Sequence, residues 1–265
     1  MPDYWPFSIL RHSALRERLV MELDHGGRQE ALRMVNLLAG TVGMFKVGKH
    51  LFMQAGPDLL REIRRQGGEV FLDLKFQDTP RMLSQAAAQA TRLGVKMFDL
   101  HPSYPYEAME RMRGEISRLC QNEGLRRPYM VAVAMYMSLV RREAAASHPP
   151  RDEQIARLAR MAAAAVVDGV MTRPEHAGRI RASCGRRFLI VTSGASAESS
   201  AEDVGYCGVA QAVRSGTDYV VVGRPIWEAH DPLQAVREIL AEMERGFRAV
   251  PRNPTSLVSE RTLLS

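Results

Sequence analysis

Short apolar runs rich in β-branched residues recur along the chain, and longer stretches with a different rhythm separate them. LVMEL (19–23), MFKVG (44–48), VFLDL (70–74) and MFDL (97–100) form the first four. MVAVAM (130–135), VDGVM (167–171), FLIVT (188–192) and YVVVG (219–223) form the next four. Runs of this length with few polar interruptions predict strands covered on both faces, as in a parallel sheet. The intervening EALRMVNLLAG (30–40), MLSQAAAQATRLG (82–94) and EQIARLARMAAAAV (153–166) place apolar residues three and four apart, which predicts helices with one buried face. Eight strands alternating with helices predict an α/β fold. Over 265 residues this favours a single-domain (β/α)8 TIM barrel, with an open doubly wound sheet as the alternative that pattern alone leaves open. The barrel is assigned to residues 18–246. Residues 1–17 are read as a helical extension and 247–265 as a tail.

Composition narrows the function classes. The chain is 46% hydrophobic and 25% charged, with ample material for a core. It has no run of about 18 apolar residues, so a membrane partner is not expected. The N-terminal MPDYWPFSILRHSALRERL carries charges through its apolar part, unlike a signal peptide. Cys120, Cys184 and Cys207 are far apart and without metal spacing, which fits a reducing cytoplasm. The net charge of +6 would suit a nucleic-acid partner. The basic pairs Arg64-Arg65, Arg126-Arg127, Arg141-Arg142 and Arg186-Arg187 are scattered, however, and read as a solvated surface that steers small anions. No P-loop, dinucleotide fingerprint or metal cluster is present, so neither a cofactor nor a metal is expected.

Charge inside the apolar runs carries the chemistry. In FLDLKFQDTP (71–80), Asp73 and Lys75 are two positions apart and leave the same face of a strand. A buried ion pair without a ligand is seldom stabilising, so this one points to a site. Other polar residues fall at predicted strand ends: Asp24 after the first, Lys46 on the second, Asp78 beyond the third and His101 on the fourth. Ser138 follows the fifth, Ser193 and Gly194 close the seventh, and Gly223 and Arg224 close the eighth. Barrel active sites are built from these ends. His101 reads as a strand-end histidine satisfied by its neighbours. Gly223 lets backbone N–H groups approach a ligand, and Arg224 offers a fork for phosphate. Thr192-Ser193-Gly194 would add donors, so a phosphomonoester substrate is expected.

These residues resemble those of the orotidine 5′-phosphate decarboxylase family. DLKFQD (73–78) matches its Asp-x-Lys-x-x-Asp motif, and Asp24, Lys46-Val-Gly, VTSG (191–194) and VVGRPI (221–226) follow in the family's order over about residues 18–240. The resemblance implies a cofactor-free decarboxylation to uridine 5′-phosphate and CO₂, in the cytoplasm and in pyrimidine biosynthesis. Lys75 would be the proton donor, with Asp73 beside the departing carboxylate and Lys46 and Asp78 completing a Lys–Asp–Lys–Asp network. Asp78 and Thr79 would reach across a homodimer. Asp24 and Lys46 would hold ribose hydroxyls, Ser138 would meet the pyrimidine, and Arg224 the phosphate. The chain departs from the family pattern at Thr79, where an apolar wall is usual, and at Met82, where a threonine is usual. It departs again in ASAESSAEDVGYCG (195–208), which lacks the usual glutamine. An enzyme acting on a different phosphorylated substrate, and a non-catalytic nucleotide-binding protein, are the alternatives these departures leave.

Overall fold

A computed structural model describes residues 15–102, 104–134, 151–165, 167–196 and 207–249. Ser138 and most of the expected extension and tail lie outside the described residues. The chain alternates β1 (Leu19–Glu22), α1 (Arg28–Leu38), β2 (Met44–Gly48), α2 (Lys49–Arg65), β3 (Val70–Phe76), α3 (Pro80–Arg92) and β4 (Met97–Leu100). Then follow α4 (Tyr106–Glu123), β5 (Tyr129–Val133), α5 (Arg151–Ala164), β6 (Gly169–Thr172), α6 (Pro174–Cys184) and β7 (Leu189–Ser193). The last elements are the two-residue strands β8 (Ala195–Ser196) and β9 (Cys207–Gly208), α7 (Val209–Arg214), β10 (Tyr219–Val222), α8 (Arg224–Trp227) and α9 (Pro232–Arg248).

Eight of the strands close into a parallel barrel in the order β1-β10-β7-β6-β5-β4-β3-β2. The open doubly wound sheet is thereby set aside. β8 and β9 pair separately after β7. Helix α2 is interrupted at Gly56, whose φ of 65° no L-residue adopts easily, just before Pro57. No helix among the described residues is long and apolar enough to cross a membrane.

Strand alternation divides the buried residues into two sets. One set, including Leu19, Met21, Phe45, Leu72, Phe98 and Ile190, faces the helices. The other is Val20, Met44, Phe71, Met97, Val131, Val133, Met171, Val191 and Val221, which meet inside the barrel. These lumen residues are at most 2% exposed and form an apolar floor. Burying a side chain such as Phe71 contributes about 1.5–3 kcal/mol. Two residues further along the same faces stand Glu22, Lys46, Asp73 and Asp99. Another two bring Asp24, Gly48, Lys75 and His101. The period of two thus lifts the charged layer above the floor, toward the C-terminal ends of the strands.

At the opposite end of the barrel, ion pairs tie strand starts together. Arg127 makes two contacts, of 2.9 and 2.7 Å, with Asp168, whose Oδ2 also accepts the Met130 N–H at 2.8 Å. Arg181 meets Asp218 at 2.5 Å, and the same Asp218 oxygen accepts the Ile190 N–H at 2.8 Å.

Candidate active site

Lys46 lies at the centre of the charged layer, 4% exposed. Its Nζ is 2.8 Å from Asp73 Oδ2, 2.5 Å from Glu22 Oε1 and 3.9 Å from Asp24 Oδ2. Burial alone would make its ammonium easier to deprotonate. The Asp73 and Glu22 carboxylates outweigh this and hold it above its ordinary range. Asp73 takes Lys46 on one oxygen and Lys75 Nζ on the other. Burial alone would raise the Asp73 carboxyl. The Lys46 cation, then contact with Asp99 and the Lys75 cation, reverse this and keep it below the usual carboxylate range. An unbroken Lys46–Asp73–Lys75 chain results, with Lys75 nearest the mouth and half-buried.

Asp24 bends back to α2. Its Oδ2 accepts the Gly48 N–H at 2.7 Å and its Oδ1 faces the Leu51 N–H at 3.4 Å. It therefore caps a helix start that has no cap of its own. A Cβ on Gly48 would stand 2.6 Å from Asp24 Oδ2, so a side chain there would push the carboxylate out of its capping position. Gly223 begins α8, and a Cβ there would meet His25 Nε2 at 2.5 Å and Glu22 Oε2 at 3.0 Å. Trp227 in the same turn donates to the Glu22 carbonyl at 2.7 Å, which ties this turn to β1. Arg224 is exposed at the start of α8. Ser193 ends β7, and Gly194 follows it with φ of 89°.

Asp78 and Thr79 are exposed in the turn from β3 to α3. The Asp78 carboxylate accepts the Thr79 N–H at 2.6 Å, and its backbone N–H donates to the Tyr104 hydroxyl. Thr79 is the N-cap of α3, its Oγ1 facing the Met82 N–H at 3.5 Å. Within one chain, then, Lys46, Asp73 and Lys75 come together, Asp24 lies beside Lys46, and Asp78 stands on the rim.

Glu22 and Asp99 also belong to the charged layer, and neither figures among the residues expected from the sequence. A carboxylate inside each of the apolar runs LVMEL and MFDL was the available signal. Burial, then the neighbouring Asp73 anion, push the Asp99 carboxyl well above the ordinary range. Among the described residues, no three His, Cys, Asp or Glu side chains converge as a metal site requires.

A closed parallel barrel with charged side chains gathered at the C-terminal ends of its strands places the chain among the (β/α)8-barrel enzymes. Residues 17–239 match the Orotidine 5'-phosphate decarboxylase / HUMPS family, and the chain belongs to it. It is 39% identical over 236 residues to the orotidine 5'-phosphate decarboxylase of Pelobacter propionicus, covering 87% of this chain and 97% of that one. It is also 39% identical over 235 residues to the enzyme of that name from Geobacter sulfurreducens, covering 87% and 98%. The crystal structure of orotidine 5'-phosphate decarboxylase from Lactobacillus acidophilus superposes with a TM-score of 0.73. There the identity is 28%, with 85% of this chain and 98% of that one covered.

Proposed function

We propose that the protein decarboxylates orotidine 5′-phosphate to uridine 5′-phosphate and CO₂, using its own side chains without metal or cofactor. The observation that carries this reading is the Asp73 carboxylate held between Lys46 and Lys75 at the barrel mouth. The bond from C6 of the pyrimidine to its carboxylate breaks, CO₂ leaves, and the electron pair stays on C6. The Lys75 ammonium lies beside that developing charge, stabilises it and delivers the proton to C6. Asp73 fixes Lys75 and stands close to the substrate carboxylate. Because the charges interact strongly, they titrate as a set.

The remaining residues bind. Gly223, Arg224, Ser193 and Gly194 take the phosphate at the ends of β7 and β10, where barrels commonly hold one. Asp24 and Lys46 face the ribose hydroxyls, and Ser138 is assigned to the pyrimidine. Phosphate binding far from C6 supplies energy for ordering the reacting end. Asp78 and Thr79 act across a homodimer in the cytoplasm, in the pyrimidine pathway. Supporting the dimer, both are exposed, and a groove beside them is lined by Phe76, Asp78, Met82 and Leu83, with Met82 47% exposed.

The test is the ultraviolet decay of orotidine 5′-phosphate with chelator-treated protein, with Lys75→Ala as control. Wild-type turnover is expected. The variant is expected to lose it while binding uridine 5′-phosphate within about tenfold of wild type, since phosphate and ribose contacts remain. Nucleotide binding without wild-type turnover would favour a different phosphorylated substrate, the reading to which Met82 and the extra carboxylate on Lys46 point.

A further inference from the structure

Strand β3 departs from regular pairing at one place. Leu72 pairs with Phe98 and Phe76 with Leu100, so Asp73, Leu74 and Lys75 stand against Asp99 alone. Extra residues in one strand leave backbone groups without ladder partners. Within this bulge Lys75 has φ of 52°, the one positive value at a non-glycine position among the described residues. A residue with a Cβ holds that conformation only where its surroundings impose it.

Asp99 supplies the constraint. The Lys75 N–H donates to Asp99 Oδ1 at 2.7 Å. The ladder then resumes, with the His101 N–H donating to the Phe76 carbonyl at 2.9 Å. Asp99 is 0% exposed. Its Oδ2 receives no donor, and its carboxyl lies against that of Asp73.

Two carboxyl groups in buried contact require a proton between them. Each oxygen of Asp73 already faces an ammonium, Lys46 on one side and Lys75 on the other. Asp99 Oδ2 faces none, which leaves it as the oxygen able to carry the proton. Among the described residues, the ionisable groups that act on Asp99 are Asp73 and Lys75 on β3, with Lys46 beyond Asp73, and His101 follows two residues along the same face. From β5 its register partner is Val131, which brings no charge. Burial and the Asp73 anion both favour the neutral acid.

We propose that Asp99 is a positioning residue that acts as a neutral carboxylic acid. Its Oδ1 fixes the left-handed backbone of Lys75, and its Oδ2–H donates to Asp73, so that the Lys75 ammonium is held at the mouth. The proposal rests on the assignment of Lys75 as proton donor. It predicts that an amide, which offers the same acceptor and donor, substitutes for the acid.

The experiment compares wild type, Asp99→Asn and Asp99→Leu, by steady-state kinetics with orotidine 5′-phosphate and by infrared spectroscopy of the ligand-free proteins near neutral pH. Asp99→Asn is expected to keep kcat within about threefold of wild type. Asp99→Leu is expected to lose about 10²-fold in kcat, the effect of a misplaced reacting group, with KM within about threefold. The wild-type spectrum is expected to hold a protonated-carboxyl band that Asp99→Asn lacks. Asp99→Asn as inactive as Asp99→Leu, Asp99→Leu with wild-type kcat, or no band lost in Asp99→Asn would each overturn the proposal. Should Asp99→Leu fail to fold, the amide variant and the spectra decide. An inactive wild type would count against the decarboxylase reading, and the spectra would still judge the protonation of Asp99.

Discussion

Glu22 Oε1 stands 2.5 Å from Lys46 Nζ, across neighbouring register positions of β1 and β2. Glu22 also lines the approach to Gly223, the proposed phosphate site. Lys46 retains Asp73 if Glu22 is neutralised, so the lysine stays in position. The change removes a negative charge near an anionic ligand. Glu22→Gln is therefore expected to tighten uridine 5′-phosphate binding about fivefold, the scale of one partly screened charge interaction. Titration calorimetry checks this, and an equal weakening would instead make Glu22 a direct nucleotide contact.

Asp78 sits on the rim, apart from the linked Lys46, Asp73 and Lys75 of the same chain. If it serves the neighbouring subunit, Asp78→Asn and Lys75→Ala proteins, each inactive alone, combine usefully. A mixed dimer has one site with both residues intact. Mixing equal amounts is expected to restore about one quarter of wild-type activity, as random pairing of the two kinds of subunit gives. Absence of recovery after demonstrated subunit exchange would place Asp78 outside the neighbour's site.

The ion pairs at the N-terminal end of the strands are assigned to stability. Arg181→Ala strips Asp218 of the cation it hydrogen-bonds, leaving the charge of Arg18 nearby, and removes contacts to the Gly216 and Phe188 carbonyls. A loss of about 2–3 kcal/mol is expected, with kcat unchanged in the folded protein. Denaturant midpoints and kinetics at low temperature test the two halves separately. A kcat loss in fully folded protein would show that this end of the barrel communicates with the mouth.

Asp73 and Asp99 give opposite pH signatures. Asp73 has its folded pKa held below the unfolded value. It contributes stability above the ordinary carboxylate range of about 4, and that contribution is lost as pH falls through the folded pKa. Asp99 has its folded pKa raised. Above about pH 4 the unfolded form releases this proton and the folded form keeps it, so stability falls as pH rises toward the folded pKa. Relative to wild type, Asp99→Asn is expected to gain stability over the interval that opens above about pH 4. Urea denaturation across that interval reads the difference, and parallel curves would show that Asp99 is ionised in the fold.

The eight strands could be read from the sequence because a strand covered on both faces writes itself as an apolar run. For the same reason Asp24, Lys46, Asp73 and Lys75 stood out as charges where none should be. Other features depended on partners distant in sequence. Asp24 caps α2 through Gly48, 24 residues away, a contact that only barrel closure creates. The β3 run suggested an end at Leu74, yet the strand continues to Phe76, because its register with β4 shifts after Leu72. Asp99 gains its meaning from that shift. In MFDL alone it is one acid in a short strand.

The apolar floor of Phe71, Met44, Met97 and their lumen neighbours shuts the barrel from below. Among the described residues the lumen therefore offers no passage from below, and the charged layer is approached from the C-terminal side. A molecule that reaches the charged layer from that side leaves by the same side. The family's nucleotide product is therefore expected to obstruct the arrival of the next substrate, so that traffic through the mouth, and not the ion chain beneath it, sets the pace once product accumulates.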